Sequence, residues 1–147
     1  MIYILIIIAG IVLDRITKIY AVKHFINNPR SGSLINLTYL ENRGAAFGIL
    51  QDKRILFVIL TIAIVIYLLY YFITNLKSNP LVLNIAFSLI ISGALGNFYD
   101  RLFQGYVVDF IEFAFVDFPV FNIADIFVTV GCGLLIIYIL FHGEKRS

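Results

Sequence analysis

Hydrophobic positions in this chain fall in long uninterrupted runs, not in the alternating or three-to-four spacing of elements that face water on one side. Ile55–Ile73 is 19 residues without a charge, Leu81–Tyr99 is another 19, and Phe121–Phe141 is 21 residues whose single charge is Asp125. A bilayer core of about 30 Å needs about 20 apolar residues of helix, so each run predicts a membrane span. Met1–Leu13 is uncharged but short, and Asp14, Arg15 and Lys18 follow directly. No basic segment precedes this run and no small-x-small site ends it, as a cleaved signal peptide would require. The apolar pattern instead continues through Ile16, Ile19, Tyr20 and Val22. The pattern therefore predicts four spans, at about 1–22, 55–73, 81–99 and 121–141, in one domain covering 1–147. The last turns of the first span carry polar groups inward. Ser88, Ser92, Gly93, Ala94 and Gly96 in the third are small enough to let helix backbones approach closely.

Between the first two spans the pattern changes. Asn27–Gly32 is a turn cluster, and Ile35–Tyr39 then alternates apolar and polar residues with the period of a half-exposed strand. Asn42-Arg43-Gly44 reads as a turn and Ala45–Leu50 as a second candidate strand. The predicted fold is an all-α membrane protein: four transmembrane helices with a small β-sheet at the membrane surface between helices 1 and 2. Lys77–Pro80 is a short turn between the second and third spans, and no internal repeat is visible.

Composition agrees with a membrane protein. The 147 residues are 61% hydrophobic and 14% charged, against about 45–50% and about 25% in soluble domains. That balance excludes a water-soluble monomer and a disordered chain. A net charge of +2 gives no electrostatic case for nucleic acid. Cys132 is the single cysteine, and His24 and His142 lie far apart, so no metal site is expected. Four spans put both termini on one side. Counting Arg15, Lys18, Lys23, Arg30, Arg43, Lys53, Arg54 and Arg101 on one side against Lys77, Lys145 and Arg146 gives eight to three. By the positive-inside rule that would place the first loop in the cytoplasm.

Five of the nine acids fall between positions 100 and 125: Asp100, Asp109, Glu112, Asp117 and Asp125. Acids near lipid are costly and call for a reason. Asp109 follows the third span and Asp125 opens the fourth, with only 11 residues, Phe110–Val120, in the linker. Both therefore lie near one membrane face, within reach of each other. Two adjacent carboxylates do not ionise together easily, so one keeps a proton at neutral pH. Such a pair supports hydrolysis: the ionised member takes a proton from water while the protonated one polarises a carbonyl. Read singly, Asp125 is also an acid favoured by a helix N-terminus and Asp109 a solvated loop residue. Glu112 and Asp117 read as loop acids. Asn97 and Arg101 are four apart and share a helix face, where Arg101 can orient a carboxylate or headgroup. Asp100 and Arg101 equally suit a helix end ion-paired at the headgroups. Asn122 stands three residues before Asp125 and can order it, and Asp14 with Lys18 forms a candidate i,i+4 pair. The alternatives open at this level are a carrier that uses intramembrane acids as proton relays, and a membrane scaffold in which neither acid matters.

Five segments in order, Asp14-Arg15-Ile16-Thr17-Lys18, Asn42–Gly48, Gly96–Arg101, Val107–Phe110 and Phe121–Asp125, together resemble bacterial lipoprotein signal peptidase (signal peptidase II) over essentially the whole chain. The resemblance implies an intramembrane aspartyl endopeptidase. Such an enzyme removes the signal peptide from diacylglyceryl-modified prolipoproteins just before the lipidated cysteine. It implies Asp109 and Asp125 as the catalytic dyad, and Asn97, Arg101 and Asn122 as residues that line and order the site. Asp14, Lys18, Asn42 and Gly44 match further motif positions, with Asp14 and Asn42 expected near the substrate pocket. Ile35–Leu50 matches an extracytoplasmic β-cradle. The partners implied are prolipoproteins and membrane lipids, with no cofactor, and one complete dyad per chain suits a monomer. Both termini would be cytoplasmic and the active site near the outer face of the bacterial cell membrane, against the charge count.

Overall fold

A computed structural model of the chain describes residues 1–44 and 53–142. Four helices and two strands follow in the order α1 (Ile2–Phe25), β1 (Ile35–Asn42), α2 (Arg54–Asn75), α3 (Leu81–Phe103), β2 (Val107–Phe113) and α4 (Ile123–His142). Each predicted span is a helix, with α1 and α3 running on by about a turn. By length and composition α2, α3 and α4 suffice to cross a membrane. α1 has 24 residues, about 36 Å of helix, which is also long enough. Its buried stripe is Gly10, Asp14, Lys18, Ala21 and Phe25, while Ile4, Ile8, Val12, Ile16 and Ile19 face outward. A helix with polar and small residues inside and isoleucine outside suits lipid rather than water.

α3 is the central helix, packed on α1, α2 and α4. Its small residues are what make this possible. A Cβ at Gly93 would run into the backbone carbonyl of Ala124 and lie 2.8 Å from Val128, so α4 rests directly on the α3 backbone. Gly93→Ala is expected to lower stability by about 1–3 kcal/mol through overpacking, read as a drop in thermal midpoint in detergent. α3 ends where Gly105, at φ 86°, turns the chain out of the helix. Its N–H and that of Gln104 donate to the Asp100 carbonyl. The left-handed glycine delivers β2 immediately after the span.

The sheet differs from the expectation. β1 pairs antiparallel with β2, from Ile35 opposite Phe113 to Asn42 opposite Val107, with a bulge between Leu37 and Leu40. The partner strand thus lies between α3 and α4, not within the first loop. Ala45–Leu50, the second candidate strand, lies outside the described residues. β2 gives no alternating signal because residues 107–110 are covered on both sides: Val107, Val108, Asp109 and Phe110 are all buried. Beyond β2 the chain returns on itself. Phe121 exchanges backbone hydrogen bonds with Ile111, N–H to O 2.9 Å each way. This closure sets the residues that open α4 beside the middle of β2.

Candidate active site

Five elements converge on one polar cluster where the sheet meets the helix ends. Asp109, in the middle of β2, is 1% exposed. Its Oδ2 accepts from Asn42 Nδ2 at the end of β1 (2.8 Å), and its Oδ1 from Asn122 Nδ2 (2.6 Å). Asp125 lies in the first turn of α4. Its Oδ1 accepts from Asn97 Nδ2 on α3 (2.8 Å), and its Oδ2 from the Asn122 backbone N–H (3.1 Å). The Asp125 N–H in turn donates to Asn122 Oδ1 (3.0 Å). That reciprocal pair is a capping box, built here from Asn122 and Asp125. Asn122 therefore starts the helix and, through one side chain, also holds the other acid. Asp125 is the helix N-terminal acid its position suggested, and Asp109 is buried in β2 rather than solvated in a loop; both line one cavity.

A cavity of about 460 Å³ opens on the pair, with Asn42, Arg101, Asp109 and Asp125 at its polar end. Its remaining wall is largely apolar, with Phe113, Phe118 and Phe121 facing Ile126 and Val130 on α4. Arg101 donates to the Gly44 carbonyl (3.2 Å), and its guanidinium lies over the Phe57 ring, 5.0 Å from the centroid. The Gly44 N–H donates to Asn42 Oδ1 (3.0 Å), which turns the Asn42 amide hydrogens toward Asp109.

Burial, and then the charge of Asp125, push the Asp109 carboxyl up to about 7, against the opposing hydrogen bonds of Asn42 and Asn122. A carboxyl whose ordinary value is 3.8 then binds more protons folded than unfolded across this interval. Its contribution to stability is fully present below about pH 4 and is lost as pH rises toward about 7. Relative to Asp109→Asn, which lacks the group, the wild-type thermal midpoint should fall across that range. A wild-type gain over the variant would contradict the assignment.

The other acids singled out in the sequence lie off the cavity. Asp14 does not line the cavity; it is buried behind it, accepting from the Ala124 N–H (3.0 Å) and paired with Lys18 (2.9 Å). The expected Asp14–Lys18 pair is thus present, but Asp14 anchors the start of α4 from behind. Asp100 is fully buried rather than paired with Arg101 at the headgroups. It takes Arg15 at 2.7 Å and Lys18 at 2.9 Å. Glu112 is not a plain solvated loop acid: it stands opposite Asn36 in the sheet and accepts from its amide (3.0 Å). Asp117 is exposed, as its loop position suggested. What sequence reasoning missed is the convergence of Lys18, Asp100 and Asn97. Its signal was there in charges placed inside helices, where they face the bundle.

Four apolar helices with two acids on one cavity suit an integral-membrane peptidase of the aspartic type, and the comparisons show that class. A model of the Signal peptidase (SPase) II family matches residues 6–141. The chain belongs to the signal peptidase II family. It is 46% identical over 143 residues to a lipoprotein signal peptidase of Clostridium tetani, covering 93% of this chain and 91% of that protein. With the lipoprotein signal peptidase of Clostridium novyi it shares 48% over 147 residues, covering 96% and 99%. Two solved structures described as bacterial membrane enzymes superpose on it. One, at 2.3 Å resolution, has a TM-score of 0.90 and 41% identity, covering 99% of this chain and 91% of that one. The other, at 1.9 Å, has a TM-score of 0.83 and 43% identity, covering 94% and 92%.

Proposed function

We propose that this chain cleaves the signal peptide from diacylglyceryl-modified prolipoproteins just before the lipidated cysteine, with Asp109 and Asp125 as the reacting acids. The observation that carries the reading is their unequal setting. Asp109 is buried, flanked by amide donors and holds its proton to about pH 7. Asp125 sits in the first turn of α4 with an N–H donor on each oxygen, where the helix dipole interacts favourably with negative charge. In the proposed step Asp125 takes a proton from water as its oxygen attacks the scissile carbonyl, and Asp109 gives its proton to the carbonyl oxygen. The resulting gem-diol collapses back onto Asp109, while the proton on Asp125 passes to the leaving amine. The C–N bond then breaks and the starting protonation of the pair returns.

The same reading places both termini in the cytoplasm and the pair near the outer face. The charge count weighs little against this, because four of the eight cations are engaged within the fold. Arg15 pairs with Asp100, Lys18 with Asp14 and Asp100, and Arg43 with Glu41, while Arg101 holds the Gly44 carbonyl. Four against three remain, which decides nothing. Membrane lipids and lipidated precursors are the proposed partners, and one complete pair per chain supports a working monomer.

The test is a gel-mobility assay of the purified protein with a precursor bearing diacylglycerol on cysteine and with the same precursor unmodified. Cleavage of the modified form is expected. Failure to cleave it, together with solute flux in proteoliposomes, would point to a carrier. Asp117→Asn, a change on an exposed loop acid, should keep the rate within about twofold of wild type, since surface changes away from such networks cost little.

A further inference from the structure

Lys18 is 1% exposed in the middle of the bundle, and the cleavage step proposed above makes no use of it. Its ammonium makes three contacts of 2.9 Å, to Asp14 Oδ2, Asp100 Oδ2 and Asn97 Oδ1. An ammonium has three hydrogens and no acceptor, so each is committed. The third contact decides how Asn97 is turned. Only an oxygen can face a donor, so the amide points Oδ1 at Lys18 and must point Nδ2 at Asp125, which it meets at 2.8 Å. The same Oδ1 also accepts from Asn122 Nδ2 (3.1 Å), the group that holds Asp109 at 2.6 Å. Lys18 thereby reaches both carboxylates through one amide. Without it, Asn97 Oδ1 keeps only the longer contact from Asn122 Nδ2, and the amide that meets Asp125 is held less firmly.

We infer that Lys18 is a positioning residue for the carboxylate pair, acting through the Asn97 amide. The inference rests on Asp109 and Asp125 being the reacting acids. The Asp14 and Arg15 partners complete the device. Asp14 balances the lysine charge, and Arg15 at 2.7 Å balances Asp100, so the cluster is neutral in pairs, as buried charge requires.

Removing the lysine alone would leave Asp14 unpaired, so the variant to make is the charge-balanced Lys18→Met/Asp14→Asn. Asn at 14 retains an oxygen for the Ala124 N–H. Cleavage of the diacylglyceryl-modified precursor should show kcat lower by about 10–100-fold, the usual cost of losing an outer orienting partner, with KM within about twofold. Asn97→Ala should lower kcat to a similar degree, and the triple variant should be no slower than the slower parent, because both changes remove one device. Multiplying losses, an unchanged kcat, or a loss confined to KM would each overturn the inference. A second measurement uses folded Lys18→Ala/Asp14→Asn, which keeps the charge balanced and leaves more room at position 18. A cavity of about 130 Å³ has Lys18 in its wall, together with Arg15, Ile19, Val22, Gln104 and Val108. Ethylammonium, which carries N–H donors, should restore part of kcat there, and tetramethylammonium, which has none, should not. Equal rescue by both or rescue by neither overturns it. A wild-type enzyme that cleaves no precursor fails the proposed function itself, a result distinct from all of these.

Discussion

Asp109→Asn and Asp125→Asn should each slow cleavage of a lipidated precursor by about 10³-fold or more, toward the upper end of what general acid–base groups contribute. The reason goes beyond lost acidity. Both oxygens of Asp109 face N–H donors, Asn42 Nδ2 and Asn122 Nδ2. An amide at 109 must turn its own NH₂ against one of them. Asp125 is in the same position between Asn97 Nδ2 and the Asn122 N–H. Each variant should therefore also lose about 1–3 kcal/mol of stability, the cost of a buried donor left without an acceptor. The loss of stability is measured separately, by thermal midpoint, so a folded and inactive variant is the informative outcome. With the Asp125 charge gone, Asp109 should also titrate below about 7, because that charge helps hold it there. A carboxyl infrared band for Asp109 that does not move in Asp125→Asn would contradict the pairing.

The second large effect is expected at Asn122, which combines two tasks in one side chain. Its Oδ1 caps α4 through the Asp125 N–H, and its Nδ2 holds Asp109 Oδ1 and meets Asn97 Oδ1. Asn122→Ala should cost about 1 kcal/mol as a lost cap, and the rate should fall by about 10²-fold or more as the two acids lose their common tether. Asn122→Ser separates the tasks. A serine hydroxyl still caps the helix, so the thermal midpoint should recover toward wild type. It has no amide to reach Asp109, so the rate should not. Recovery of both together would show that Asn122 acts only through helix stability.

The membrane helices were legible because lipid demands long apolar runs, and nothing in tertiary packing disguises those. Asp109 and Asp125 were legible for a related reason: acids near lipid need partners, and an 11-residue linker restricts where they go. β2 was not legible as a strand. Val107–Phe113 is covered by α1, α3 and β1 and so lacks the alternation that marks a half-exposed strand. Its pairing with β1 brings Asn42 to Asp109 across 67 positions of sequence, a link that local pattern does not encode. Its motif sets Asp14 near the pocket, but that its carboxylate would take the Ala124 N–H at the start of α4 depends on helix packing that local sequence does not encode. The rotation of Asn97 likewise depends on Lys18, 79 positions away.

Attack of water on the scissile bond between Asp109 and Asp125 makes both acids indispensable. It is tested most directly by single-turnover cleavage of a diacylglyceryl-modified precursor with purified, folded Asp125→Asn in excess over substrate, with the released signal peptide followed by mass spectrometry. No released peptide is expected over many wild-type turnover times, while Asp117→Asn releases it at the wild-type rate. Release by folded Asp125→Asn at the wild-type rate would contradict it.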